Sequence, residues 1–209
     1  MLDRKSSVKA GKAVRGRPRV FDDRRLEVLR TAARVFSEQG FRQATLEDIA
    51  GALEMTRPAL YHYAKSKDQL LADCGAIART QLIEAYTKAK AEPDGASQVA
   101  TFFRCYSTFV TDAFGRCYAL TRLNEMAPAE RQATRQQIII NDEWVEGMIR
   151  AGIADGTIRD CDAPAVGRAI FDSFNGVARW WNPRRDRPLA LITDIILDLF
   201  MNGLAPRKG

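Results

Sequence analysis

The sequence predicts an all-α protein of about nine helices, in which an N-terminal three-helix head joins a larger helical body. Three observations carry this reading. From Asp22 onward, apolar residues recur at the three- and four-residue spacing of one helix face. Ser, Thr or Asp precedes several of these runs, and Gly or Pro closes them. The 209 residues, 46% hydrophobic and 28% charged, suffice for a substantial core.

The first helix is marked by Leu26, Leu29, Ala32, Ala33 and Phe36, with Asp22 or Asp23 as its N-cap and Gly40 as its end. Phe41 follows the glycine as the apolar contact that closes a helix C-terminus. Thr45 and Asp48 form a capping-box variant for a short second helix, whose apolar face is Leu46, Ile49, Ala50 and Leu53. After a tight "EM" connection, Thr56 caps a third helix with Pro58 in its first turn, where a missing N–H costs nothing. That helix ends near Tyr63, because Ser66 caps a fourth with Gln69 at the capping-box position.

Two short helices joined by a tight turn and packed on a longer one form a helix-turn-helix unit. Leu60 then points inward, and Arg57, Ala59, Tyr61 and His62 point outward. Residues 57–67 contain three basic groups and no acid, the composition of a surface that meets phosphates and base edges.

Charge placement agrees. Residues 1–21 hold seven Lys/Arg and one Asp, so the formal net charge of +6 resides in this arm while the remainder is balanced. Within it, "RGRPR" (Arg15, Arg17, Arg19) resembles an AT-hook, whose extended backbone lays arginines in a narrow minor groove. A solvated tail without a partner is the alternative reading of the same charge. The four cysteines lack metal-ligand spacing and there is a single His, so reduced thiols in a cytoplasmic protein without cofactor or metal are expected. No signal-peptide run opens the chain, and Asp194 and Asp198 interrupt the one long apolar stretch near its end.

In the body the apolar pattern predicts helices near 67–91, 95–114, 117–126, 128–154, 162–182 and 187–203, with breaks at Pro93-Asp94-Gly95, Gly115, Pro128, Gly156 and Pro183. Two stripes stand out in the last pair: Val166, Ile170, Phe174, Val177 and Trp181, then Leu189, Ile192, Ile196, Leu199 and Phe200. Aromatic and thioether side chains at Phe102, Phe103, Tyr106, Phe109, Met126, Trp144, Met148 and Phe174 are candidates for lining an apolar cavity.

The segment "VLRTAARVFSEQGFRQATLEDIAGALEMTRPALYHYAKSKDQLL", residues 28–71, resembles the DNA-binding domain of the TetR family of bacterial transcriptional regulators. It has the Ala-Ala-x-x-Phe run, the Gly-aromatic helix end, the Thr-capped second helix and the Leu-Tyr-x-x-x-x-x-Lys-x-x-Leu passage into the fourth. It departs from the family pattern at Ala64, where Phe is frequent, and at Glu54-Met55, where Gly-Val is common.

The resemblance implies a basic arm over 1–21, a DNA-reading head over 22–67, and a ligand-binding and dimerising body over 68–209. Carried over by position, Thr45, Tyr61, Tyr63 and Lys67 would touch phosphate. Arg57, Pro58 and Ala59 would lie nearest the bases, with Thr56 capping their helix and His62 beside them. Arg57 has the fork that pairs with guanine. Tyr63 reads equally well as partly core. The last two helices would pair with those of a second copy through Val166, Ile170, Val177, Trp181, Ile192, Ile196, Leu199 and Phe200. The segment "GVARWWNPRRDRP" resembles the Trp-rich helix end of some acyl-CoA-responsive members, which implies a hydrophobic thioester effector held by Arg184, Arg185 and Arg187.

The expectation is therefore a dimeric, ligand-released repressor on a palindromic operator. An architectural DNA binder using the arm is the rival. An enzyme is disfavoured by the absence of a Gly-rich phosphate loop, a GxSxG elbow or a metal-ligand cluster.

Overall fold

A computed structural model describes residues 17–203 of the chain. The elements are α1 (Arg17–Gln39), α2 (Leu46–Ala52), α3 (Arg57–Leu60), α4 (Lys67–Lys90), α5 (Gly95–Thr111), α6 (Ala113–Leu120), α7 (Pro128–Asp155), α8 (Ala163–Trp180) and α9 (Leu189–Asn202). A single 3-10 turn (Leu123–Glu125) separates α6 from α7, and the described residues contain no strand.

The caps of the head form as its residues dictate. Gly40 takes φ +85° to end α1, and Phe41 meets Phe36 edge-on with ring centroids 5.2 Å apart. Thr45 Oγ1 accepts from Asp48 N at 3.1 Å while the Asp48 carboxylate accepts from Thr45 N at 2.9 Å. Donation to that carboxylate by the Thr45 hydroxyl first, and by the Thr45 backbone N–H second, holds the Asp48 carboxyl below the usual aspartate range. Thr56 caps α3 through Ala59 N, and Ser66 caps α4 through Gln69 N. At the α2–α3 turn, Glu54 occupies the left-handed region at φ +53°, a conformation usually supplied by glycine.

Four expectations are corrected. α1 begins at Arg17 and not at Asp22, so Asp22 and Asp23 lie inside a helix and not at its start. Arg17 and Arg19 belong to helical backbone instead of an extended arm, and Pro18 is tolerated because a first-turn N–H has no intrahelical partner; Arg15 lies outside the described residues. The third correction is at Gly115, which does not break a helix. Asp112 ends α5 and caps α6 through Phe114 N at 3.2 Å, and Gly115 lies within α6 because any side chain would strike the Phe109 carbonyl. The helix expected to run to Met126 stops at Leu120.

α5 is the central helix of the body. Its buried Phe102, Phe103, Tyr106 and Phe109 pack among α4, α6, α7, α8 and α9. α4 runs from head into body: Leu70, Leu71 and Cys74 are buried, Cys74 Sγ donates to Leu29 O at 3.3 Å, and Asp73 pairs with Arg25 of α1 at 2.9 Å. α6 lies along α1, so the head meets the body through both α4 and α6. α4 and α7 are tied by a bidentate pair, in which Arg79 donates to Glu130 at 2.6 and 3.2 Å.

Candidate functional site

The outward face of the head is assembled by α2, α3 and the turn after it. Thr56, Arg57, Pro58, Tyr61 and His62 are exposed, Ala59 and Tyr63 are half-buried, and Leu60 is fixed in the core. Because α3 is only four residues long, Tyr61 to Tyr63 continue as a turn, which still presents them beside α3. The Arg57 guanidinium is bridled there: it pairs with Glu47 at 2.6 Å, donates to Tyr61 Oη at 3.0 Å and lies over the Tyr61 ring. Thr45 is exposed, but its hydroxyl donates to Asp48 at 2.7 Å.

The Lys67 ammonium is engaged within the head. Its Nζ donates to the carbonyls of Phe41, Arg42 and Ala44 at 2.6, 3.3 and 3.0 Å and lies 4.5 Å from the Phe41 ring centroid. A three-donor ammonium saturated by the loop after α1 ties that loop to the start of α4. The exposed cation of the turn is Lys65.

In the body, a cavity of about 300 Å³ opens between α5, α6, α7 and α8. Of the residues expected to line it, only Tyr106 does. Phe102, Phe103, Phe109, Met126, Met148 and Phe174 are buried core, and Trp144 stacks on Tyr86 at 4.2 Å. Aromatic residues at helical spacing filled the bundle axis, as a close-packed interior requires. The cavity wall is mixed instead, with Leu123, Ile138 and Phe171 beside a set of polar groups. Tyr106 donates to Asn175 at 2.8 Å, Gln137 donates to Asn141 at 2.9 Å, and Asp142, Asp172 and Arg168 complete one side. Burial pushes the Asp142 carboxyl above the usual aspartate range; Arg168 opposes the shift and Asp172 adds to it. The signal for these residues is an Asn directly after an apolar residue of each helix, Asn141 after Ile140 and Asn175 after Phe174.

The last two helices also differ from expectation. Ile170 and Val177 are buried within the chain, and Val166, Trp181, Ile192, Ile196 and Phe200 are half-buried against its core, so these stripes face inward. Of the expected set Leu199 alone is exposed, and it continues an outward ridge at i, i+4, i+8 with Leu191 and Ile195; Trp180 at the end of α8 is exposed as well. Arg184, Arg185 and Arg187 are exposed in the α8–α9 turn, held by Asn182 and Asp186, and line no part of the cavity.

Cys74 and Cys117 are buried, which raises both thiols, Cys117 to about 11. Among the described residues no cluster of three or more potential metal ligands occurs, and no helix is long and apolar enough to cross a membrane.

Comparison with known proteins follows the same two-part division. Residues 28–74 match the family model of bacterial regulatory proteins, tetR family, and residues 92–204 match that of the tetracyclin repressor-like C-terminal domain. The chain is 28% identical over 191 residues to the HTH-type transcriptional repressor KstR2 of Rhodococcus jostii (strain RHA1), covering 87% of this chain and 91% of that protein. Among solved structures it resembles the ketosteroid transcriptional regulator KstR2 of Mycobacterium tuberculosis (TM-score 0.80, 20% identity, 88% of this chain and 96% of that one). It also resembles AibR in complex with isovaleryl coenzyme A and operator DNA (TM-score 0.75, 19% identity, 85% and 98%).

Proposed function

Because the chain belongs to the TetR family of bacterial regulatory proteins, we propose that it is a dimeric transcriptional repressor released from a palindromic operator by a small molecule. The observation that carries this reading is the pairing of an exposed α3 surface, whose own residues include no acid, with a cavity in the body, joined by α4 and α6. The repressor KstR2, to which the chain is similar over most of its length, supports the direction of control.

Arg57, Pro58 and Ala59 would approach base edges, with Tyr61, His62 and Lys65 beside the phosphates. In our reading the DNA-reading unit is residues 22–67 and the effector and dimer unit 68–209, with α4 common to both. The exposed ridge of Leu191, Ile195 and Leu199 with Trp180 would pair with its own copy, setting two heads at the spacing of successive half-sites. Such a protein works in the cytoplasm, beside its operator. Effector in the cavity would displace α6, whose Tyr118 and Ala119 line it, and so favour a head orientation that does not fit the operator. AibR carries an acyl-CoA thioester, which makes short acyl-CoA compounds the first class to screen.

Selection of binding sites from random duplex DNA tests the reading. A recovered palindrome with two half-sites is expected, and AT-rich sequence without symmetry would overturn it in favour of the architectural alternative. The Ile195→Glu variant should sediment as a monomer and lose affinity for the palindrome.

A further inference from the structure

A second groove, of about 380 Å³, lies at the seam where α1 of the head meets the α5–α6 corner of the body. Three arginines line it: Arg30 and Arg34 from successive turns of α1, and Arg116 from α6. Glu38 is the only acid on its wall, and Thr31, Ser37, Thr111 and Ala113 complete the lining. None of the three arginines takes part in an ion pair among the described residues. Arg116 Nε is closed off from solvent and has no acceptor within hydrogen-bonding distance. Arg30 is steered toward the seam by the ring of Phe114, 5.9 Å from its guanidinium carbon.

Converging like charges repel, and a buried donor without a partner costs free energy, so this arrangement is stable in proportion to what neutralises it. Guanidinium groups are planar forks whose N–H pairs match the oxygens of phosphate. We infer that the α1–α6 seam is a binding site for a phosphate-bearing small anion, separate from the effector cavity between α5, α6, α7 and α8. A bound anion would be held by Arg30 and Arg34 on the head and by Arg116 on the body. It would therefore pin the two together and bias the head orientation independently of the effector.

Inorganic pyrophosphate is the probe, titrated calorimetrically into the full-length protein at fixed ionic strength, with chloride as the competing salt. Wild-type protein binds it, and Arg34→Gln and Arg116→Gln each weaken binding by roughly tenfold to a hundredfold. Arg150→Gln, a change outside the groove, leaves binding unaltered. In chloride alone, the Arg34→Gln and Arg116→Gln variants melt no lower than wild type, because each relieves repulsion. Absence of pyrophosphate binding beyond that of chloride, or equal binding by the variants and wild type, would overturn the proposal. DNA phosphates share this chemistry, so the salt dependence of duplex binding is measured on the same variants. If each arginine removed lowers its slope by about one while pyrophosphate binding persists, the cluster serves DNA and the small-anion site is refuted.

Discussion

Glu47 on α2 and Arg57 on α3 are joined by an ion pair of 2.6 Å across the outer surface of the head, both side chains about half exposed. The fork proposed to meet a base is therefore occupied by a carboxylate of its own domain while DNA is absent. Binding DNA exchanges one partner for the other, so the strength of this pair subtracts from affinity.

Removing the competitor should help. An exposed pair of this kind is worth up to about 1 kcal/mol, so Glu47→Gln should tighten DNA binding by as much as roughly fivefold in fluorescence anisotropy. Arg57→Ala should weaken specific binding by about 1–3 kcal/mol and relax base preference. Equal losses on specific and random duplexes would remove Arg57 from base reading.

Lys67 is expected to act on stability and not on phosphate. With its ammonium bound to three carbonyls, Lys67→Met should cost about 2 kcal/mol in denaturant unfolding, the scale of a charged hydrogen bond. The salt slope of DNA binding should stay unchanged in that variant, whereas Lys65→Ala should lower it by about one.

Glu54 holds a left-handed conformation in the α2–α3 turn. Glycine adopts that region without steric cost, so Glu54→Gly should stabilise the protein by about 1 kcal/mol, read as a higher urea midpoint at constant m-value.

Two glycines should respond in opposite directions to alanine. A Cβ at Gly95 would collide with the backbone of Gly152 and lie 2.7 Å from the Met148 carbonyl, where α5 starts against the end of α7. Gly95→Ala should therefore destabilise by about 1–3 kcal/mol. Gly147 is an exposed position within α7 with nothing near its missing Cβ. There alanine should stabilise by about 0.5–1 kcal/mol.

Asp142 predicts a pH effect. Its folded pKa is raised, chiefly by burial in the cavity wall, so the native state takes up its proton more readily than the unfolded chain does. Ionising it removes stability as pH rises from the ordinary aspartate range through the raised value. Asp142→Asn should thus raise the Tm at pH 7, with the gain shrinking as the pH falls through that window. A gain of equal size at pH 3 would show that the carboxylate charge is not its source.

Much of the head is legible in the sequence, because its signals are local. Thr45 with Asp48, Thr56 with Pro58, Ser66 with Gln69, and Gly40 each satisfy backbone groups within four residues of themselves, and every one of these caps forms where the spacing places it. Leu60 was assigned to the interior by the same short-range periodicity and is 1% exposed. The start of α1 was misplaced because Asp22 and Asp23 have the composition of a cap, although the helix continues upstream through them.

The element inventory, the capping chemistry and the chemical character of the α3 surface are thus set by residues close in the chain. Tertiary structure alone decided which side of each amphipathic helix faces which neighbour. It turned Ile170 and Val177 into core and left Ile195 outside. It spent the Lys67 ammonium on the carbonyls of a loop about 25 residues away. It also brought Asp142 of α7 and Asp172 of α8 to one cavity wall, and Arg34 of α1 and Arg116 of α6 to one groove. Periodicity reports how wide an apolar stripe is and where it lies on its own helix, but carries no information on the rotation and pairing of helices distant in sequence. Those are fixed by close packing of the whole bundle, in which every volume must be filled at once.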